Sequence, residues 1–215
     1  MKPQIINAST LPMGQRWSWR KLSDLCHEDR NIVGPESERA KQLPYLSLEH
    51  IESNTGRLLK DPSELAVDEG QSTSFAFDTR HILYGKLRPY LNKVALPTFS
   101  GRCTTEFIPL LPRSNVSRRY LGWLFRRPDT VAFAMEGKTG SRMPRANIKE
   151  LLTLPVPIPQ DIETQEQLAD EIDAEMMKIK KAKEALQEQL ALVEELSQRI
   201  LMDFPLQFLA FEGDS

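Results

Sequence analysis

Between Asp161 and Asp203 lie 43 residues without a single glycine or proline, dominated by Ala, Leu, Glu, Gln, Lys and Met. Only the α-helix suits such a run, because these side chains lose little freedom there and nothing interrupts the hydrogen-bond ladder. Its boundaries are marked as well. Pro155, Pro157 and Pro159 hold the approach extended, Asp161 or Thr164 can cap the first turn, Thr164 and Gln167 stand at capping-box spacing, and Pro205 closes the far end. Inside the run, Leu168, Ile172, Ile179, Ala182, Leu186, Val193, Leu196 and Ile200 occupy a and d positions of one heptad register. Gln165, Glu175 and Gln189 take the remaining seam slots, and Met176 with Leu190 adds a second apolar row. At 1.5 Å per residue the helix is about 65 Å long, more than a compact domain of this size needs, so it is expected to project. An apolar stripe on a projecting helix needs a partner, which predicts a coiled coil with a second copy or with another protein.

The preceding residues read differently. Short apolar runs, "QLPYLSL", "SFAFD", "ILYGKL", "NKVALP" and "TTEFIPLL", are separated by Gly, Pro, Asn and Asp and are strand candidates. Ser117 to Met135 has helical apolar spacing interrupted at Pro128. The expected organisation is a mixed α/β (α+β) domain over 1–155, the helix with its entry over 156–204, and a short tail over 205–215. Apolar residues make up 40% of the chain, enough for a core. No run of about 18 apolar residues spans a membrane, and the first residues lack the apolar centre of a signal peptide, so a cytoplasmic protein is expected.

The net charge of −2 conceals a division. Residues 1–70 hold 9 Lys and Arg against 11 Asp and Glu, residues 71–150 hold 14 against 5, and residues 151–215 hold 5 against 14. A basic middle followed by an acidic end points to a polyanionic partner for the middle alone. In that middle Arg80, Lys86, Arg88, Lys93 and Arg102 are interleaved with Tyr84, Tyr90 and Phe99, with Thr104 close behind. A second cationic stretch, "GKTGSRMPRANIK", brings Lys138, Thr139, Ser141, Arg142 and Arg145 between glycines that allow close approach. Guanidinium and ammonium groups position phosphates, while a few Arg, Ser or Thr side chains read base edges, so Arg80, Lys86, Arg88, Tyr90, Lys93, Arg102, Thr104, Lys138, Thr139, Ser141, Arg142 and Arg145 are the candidate DNA contacts.

Enzymatic signatures do not match. The chain has no phosphate-binding G-x-x-x-x-G-K-[ST] loop, no G-x-G-x-x-G, no G-x-S-x-G and no H-E-x-x-H. His27, His50 and His81 lack metal-ligand spacing, and Cys26 and Cys103 stand alone, which reads as idle thiols. No metal or cofactor is implied. Pro128, Asp129, Glu136 and Lys138 imitate a P-D-x6-E-x-K nuclease site, but their pieces lie too close together for acids converging from adjacent strands around Mg²⁺. A Mg²⁺-dependent nuclease and a coiled-coil scaffold with non-specific DNA binding are the alternatives.

Several stretches together resemble one family. "RWSWRKLSDL", "YLSLEHIESNTGRLL", "ILYGKLRPYLNKVALPTFSGRCTTEFIPLLP" and "GSRMPRANIKELLTLPVPIPQDIETQEQLADEID" are similar to the DNA-specificity subunit of type I restriction-modification systems. In that family a target recognition domain ends in a short apolar strand and a P-x-P-P-x-x-E-Q type junction that leads into a long helix. Here Gln160 stands where a second proline is common, and Glu166 with Gln167 supplies the E-Q pair. The resemblance implies one recognition domain and one helix, half of a full subunit, with the helices of two halves packed antiparallel. It implies double-stranded DNA as ligand, adenine methyltransferase subunits as partners and, through them, a motor-nuclease subunit. It also implies no catalysis by this chain, which has no N-P-P-[YF] or D-P-P-[YF] motif. The acidic residues Glu171, Glu175, Glu184, Glu188, Glu194 and Glu195 are then a candidate docking face.

Overall fold

The computed structural model describes residues 16–67, 72–137 and 142–203. In chain order the elements are β1 (Trp17–Lys21), α1 (Leu22–Leu25), β2 (Cys26–Glu28), β3 (Asn31–Val33), α2 (Glu38–Gln42), β4 (Tyr45–Leu46), β5 (Ser74–Phe77) and β6 (Ile82–Gly85). They continue with β7 (Val94–Ala95), β8 (Gly101–Thr104), β9 (Phe107–Pro112), α3 (Arg118–Arg126), α4 (Pro128–Ala134), α5 (Ile148–Leu151), β10 (Pro155–Pro159) and α6 (Ile162–Asp203). The chain divides into two compact units, Met1–Ala169 and Asp170–Ser215. The fold is mixed α/β with a long C-terminal helix, as the residue pattern predicts. The expected tail over 205–215 lies outside the described residues.

Two four-stranded sheets make the framework of the first unit, in the orders β2-β9-β6-β7 and β3-β5-β8-β4. All pairings are antiparallel except β4 with β8. Strands β5 and β6 are buried along their whole length, which is why they read as continuous apolar runs rather than alternating ones. Both sheets feed one core in which Leu83, Phe107, Ile108 and Leu110 have no exposed surface. Helix α3 adds Leu121, Leu124 and Phe125, the last ring 5.5 Å from that of Tyr84. Pro128 ends α3 and occupies the first turn of α4, where its missing N–H is not needed.

A third, two-stranded sheet joins the two ends of this unit, pairing β1 with β10 in the register Trp17↔Pro159, Trp19↔Pro157 and Lys21↔Pro155. The prolines cost no ladder bond. Flanking bonds run from Leu22 N to Leu154 O (3.0 Å) and from Gln160 N to Arg16 O (2.9 Å). Since antiparallel pairs alternate between bonded and non-bonded positions, the even-numbered pairs Ser18↔Ile158 and Arg20↔Val156 carry the bonds and the prolines fall between them. The proline ladder is thus a strand partner as well as an extended approach to the helix.

Asp161 caps that helix, its Oδ2 accepting from Thr164 N at 2.8 Å and Thr164 Oγ1 at 2.9 Å. These bonds favour the carboxylate and lower the Asp161 pKa. Within the second unit the helix is unbroken, with ion pairs Glu175–Lys178, Lys180–Glu184 and Glu195–Arg199 on its surface. No helix among the described residues is long and apolar enough to cross a membrane.

Candidate nucleic-acid interface

Where β6 ends and β9 begins, three segments are tied by backbone hydrogen bonds. Gly85 faces Phe107 across the sheet, and Lys86 N donates to Glu106 O at 2.9 Å. Leu87 bridges Arg145, Arg88 N donates to Pro144 O at 2.7 Å, and Ala146 N donates to Lys86 O at 2.8 Å. Residues 85–88, 106–107 and 144–146 therefore hold one another in place. Gly85 is required by close packing: a Cβ there would lie 2.9 Å from Lys93 O and 3.0 Å from Leu48 Cδ2. The close approach that glycine permits at this position is thus to neighbouring backbone, not to a ligand.

On this scaffold Arg88 sits at φ 51° and ψ 63°, left-handed geometry that is uncommon for a residue with a Cβ. The turn Pro89–Leu91 follows, with Tyr90 half exposed. Arg145 lies side-on to the Glu106 carboxylate, its Nε 3.1 Å from both oxygens and its Nη2 2.8 Å from Oε1. That hydrogen bond is the main reason its pKa is raised. The side chains of Lys86, Arg88 and Arg142 have no hydrogen-bond or ion-pair partner among the described residues.

The other predicted contacts are dispersed. Arg80 stands at the opposite end of β6, its Nη2 2.6 Å from Asp78 Oδ2, and its hydrogen bond holds the Asp78 carboxyl well below the usual range. Lys93 donates to Leu48 O at 2.7 Å, and its pKa is lowered by burial. Thr104, partly buried at the end of β8, accepts from Glu106 N at 3.4 Å. Lys138, Thr139 and Ser141 lie outside the described residues. Arg102 requires a correction, because it is only 2% exposed. Its guanidinium donates to Ala40 O (3.1 Å) and Val67 O (2.8 Å) and lies 4.9 Å over the Tyr45 ring, so it braces the core instead of facing a ligand.

The same fate meets much of the basic surplus. Arg118 donates to His81 O and Pro97 O, and Arg126 donates to Val94 O while lying over Trp123. Arg119 pairs with Glu166, and Arg127 grips Asp129 in the first turn of α4 at 2.9 and 2.7 Å. Asp129, one acid of the nuclease-like string, is thereby held to an arginine. Among the described residues no group of three or more His, Cys, Asp and Glu could hold a metal ion. Burial pushes the Cys26 thiol up to about 12 and raises that of Cys103 too, so neither forms a reactive thiolate.

Two buried polar residues were invisible in the residue pattern. His81, 3% exposed, has Nδ1 3.0 Å from Asp78 Oδ1 and Nε2 3.1 Å from Asp29 Oδ2. Gln165, 1% exposed, accepts from Ser117 N at 2.8 Å and donates to Pro159 O at 2.9 Å and Asn115 O at 3.3 Å. Its seam position in the heptad is thus a domain contact, and Leu168 and Ala169 likewise pack on the core of the first unit. Farther along, Ile179, Leu186, Val193, Leu196 and Ile200 are each 54–65% exposed, and Ala182 is exposed too. Ile172 is partly buried.

No protein-family model matches the chain. Over 157 residues it is 28% identical to the type I restriction enzyme EcoDI specificity subunit of Escherichia coli, a match covering 73% of this chain and 34% of that protein. Its fold matches a chain solved in a study of complex assembly and conformational transition of the type I R-M system, with a TM-score of 0.74 and 19% identity over 95% of this chain and 53% of the other. It also matches the HsdS subunit from Thermoanaerobacter tengcongensis, with a TM-score of 0.66 and 20% identity over 95% of this chain and 52% of that one. The chain spans about a third of the curated relative and about half of each solved chain. The resemblance read from the residues is borne out: the chain is similar to type I specificity subunits and corresponds to roughly half of one.

Proposed function

We propose that this chain is the sequence-specific DNA-recognition component of a type I restriction-modification complex, without catalysis of its own. In this reading residues 1–155 form the target recognition domain, and 156–204 the spacer and pairing helix. The observation that carries it is the combination of the unpartnered cations Lys86 and Arg88 at one end of β6, and the exposed Arg142 two residues before Pro144, with an exposed heptad seam on α6, in a chain whose relatives are specificity subunits. In this reading Lys86 and Arg88 hold phosphates, and Tyr90, Arg142 and Arg145 approach the grooves.

The exposed seam from Ile179 to Ile200 pairs antiparallel with that of a second copy, or with the other half of a full subunit. Two copies related by a two-fold axis read an inverted DNA site whose halves are separated by roughly one helical turn or more. Adenine methyltransferase subunits dock on the assembly, with the acidic side chains of α6 as the candidate surface, and bring the motor-nuclease subunit with them.

The test is selection of bound duplexes from a randomised pool by the full chain, with and without the methyltransferase subunit. Retention of a defined gapped sequence, with affinity falling steeply as salt rises, is the expected result. Binding with no sequence preference in both conditions refutes the reading. Light scattering tests the pairing: Leu186→Glu with Val193→Glu turns a dimer into a monomer, and a wild-type chain that is monomeric at every concentration sinks that part.

A further inference from the structure

Resting on the DNA-recognition reading, we propose that Arg145, buttressed by Glu106, reads a guanine in the major groove. A guanidinium has five N–H groups. The side-on fork to Glu106 engages Nε and one hydrogen of Nη2, leaving both hydrogens of Nη1 and one of Nη2 free. That end-on pair is the one that matches guanine O6 and N7, the commonest specific arginine contact in duplex DNA. Nη1 has no hydrogen-bond partner among the described residues, and the side chain is 47% exposed.

Three further features fit Arg145 for this contact. Its backbone is fixed by the bridge to Leu87 and by the neighbouring bonds Arg88 N to Pro144 O and Ala146 N to Lys86 O, so the fork is aimed rather than swinging. Glu106 restricts the side chain in advance, which lowers the entropy lost on binding. The carboxylate also cancels the arginine's charge, so this pair adds little to general attraction for phosphates while Lys86 and Arg88 beside it carry net charge. Arg80 makes a similar fork to Asp78, but at the opposite end of β6 and away from the unpaired cations. Arg127 with Asp129 is more enclosed, at 31% side-chain exposure.

The experiment is duplex selection by the full chain as wild type, Arg145→Gln, Glu106→Gln and the charge-neutral double variant Arg145→Ala with Glu106→Ala. Wild type selects one G·C pair per half-site that Arg145→Gln and the double variant no longer prefer, a loss of roughly 5- to 150-fold in discrimination. Other positions of the site persist, and the salt slope of the double variant matches wild type. Glu106→Gln weakens the same preference in part. If the double variant or Arg145→Gln keeps every preference of wild type, the proposal is overturned while the recognition reading stands. A preference lost in Glu106→Gln but kept in Arg145→Gln assigns the contact to the carboxylate and also overturns it. If wild type itself selects nothing, the recognition reading fails instead. Should the double variant unfold, Arg145→Gln, whose amide can still donate to Glu106, decides the matter.

Discussion

Replacing Gln165 by leucine isolates the polar anchor at the start of α6. The side chain is 1% exposed and makes three hydrogen bonds, one received from Ser117 N and two donated to Pro159 O and Asn115 O. Leucine has similar volume but satisfies none of them. Ser117 is itself 2% exposed, so its N–H is stranded away from water, at a cost of about 1–3 kcal/mol. The two carbonyls have second lone pairs and add about 1 kcal/mol each, while the added apolar burial returns about 1 kcal/mol. The expected net loss is about 3 kcal/mol, a large part of the roughly 5–15 kcal/mol that holds a domain folded. Urea unfolding of the full chain, followed by tryptophan fluorescence, should show a lower midpoint at unchanged slope. Gln167→Leu, two residues on and exposed, is the control for helix propensity and should move the midpoint by less than about 0.5 kcal/mol. Equal midpoints for Gln165→Leu and Gln167→Leu would refute the assignment of Gln165 as a structural anchor.

Arg88 offers a separation of stability from binding. Arg88→Gly relieves left-handed strain of about 1–2 kcal/mol and gives back about 0.5–1 kcal/mol in chain entropy, so thermal stability should hold or rise slightly. DNA affinity should meanwhile fall for all sequences, with the salt slope smaller by about one; an unchanged slope takes Arg88 off the phosphates. A third expectation concerns pH. The folded-state pKa of Asp78 is depressed, chiefly by its hydrogen bond from Arg80. Its contribution to stability is therefore complete above the unfolded value near 3.9 and is lost as pH falls toward the folded value. Melting temperatures measured from pH 5 down to 2 should fall less for Asp78→Asn than for wild type, and parallel curves would contradict this.

The legibility of the chain follows the range of the interactions. Helix α6 could be read because its cause is local: propensity, heptad spacing, and a cap made by Asp161 on a residue three positions away. Five of the strands, β4, β5, β6, β7 and β9, and the break at Pro128 were legible for the same reason, being apolar runs bounded by turn residues. Strands β2, β3 and β8 were not, since three residues or a glycine-led "GRCT" leave no periodicity to detect.

Charge was the least transparent feature. A basic block is visible in composition, yet whether an arginine meets solvent or a carbonyl depends on which distant segment folds over it. Arg102 meets Ala40 and Val67, and Arg118 meets His81 and Pro97, contacts 21 to 62 positions apart. Gln165 looked like an imperfect seam residue because nothing local reveals Ser117 and Asn115, about 50 positions earlier. By itself the residue order determined the long helix, its exposed stripe and the apolar strands, since each is specified by neighbours within a few positions. Only the tertiary structure decided the closure of β1 on β10, the burial of Gln165 and His81, and which cations remain free beside Glu106, because desolvation and hydrogen bonding are set by groups the chain brings together across its whole length.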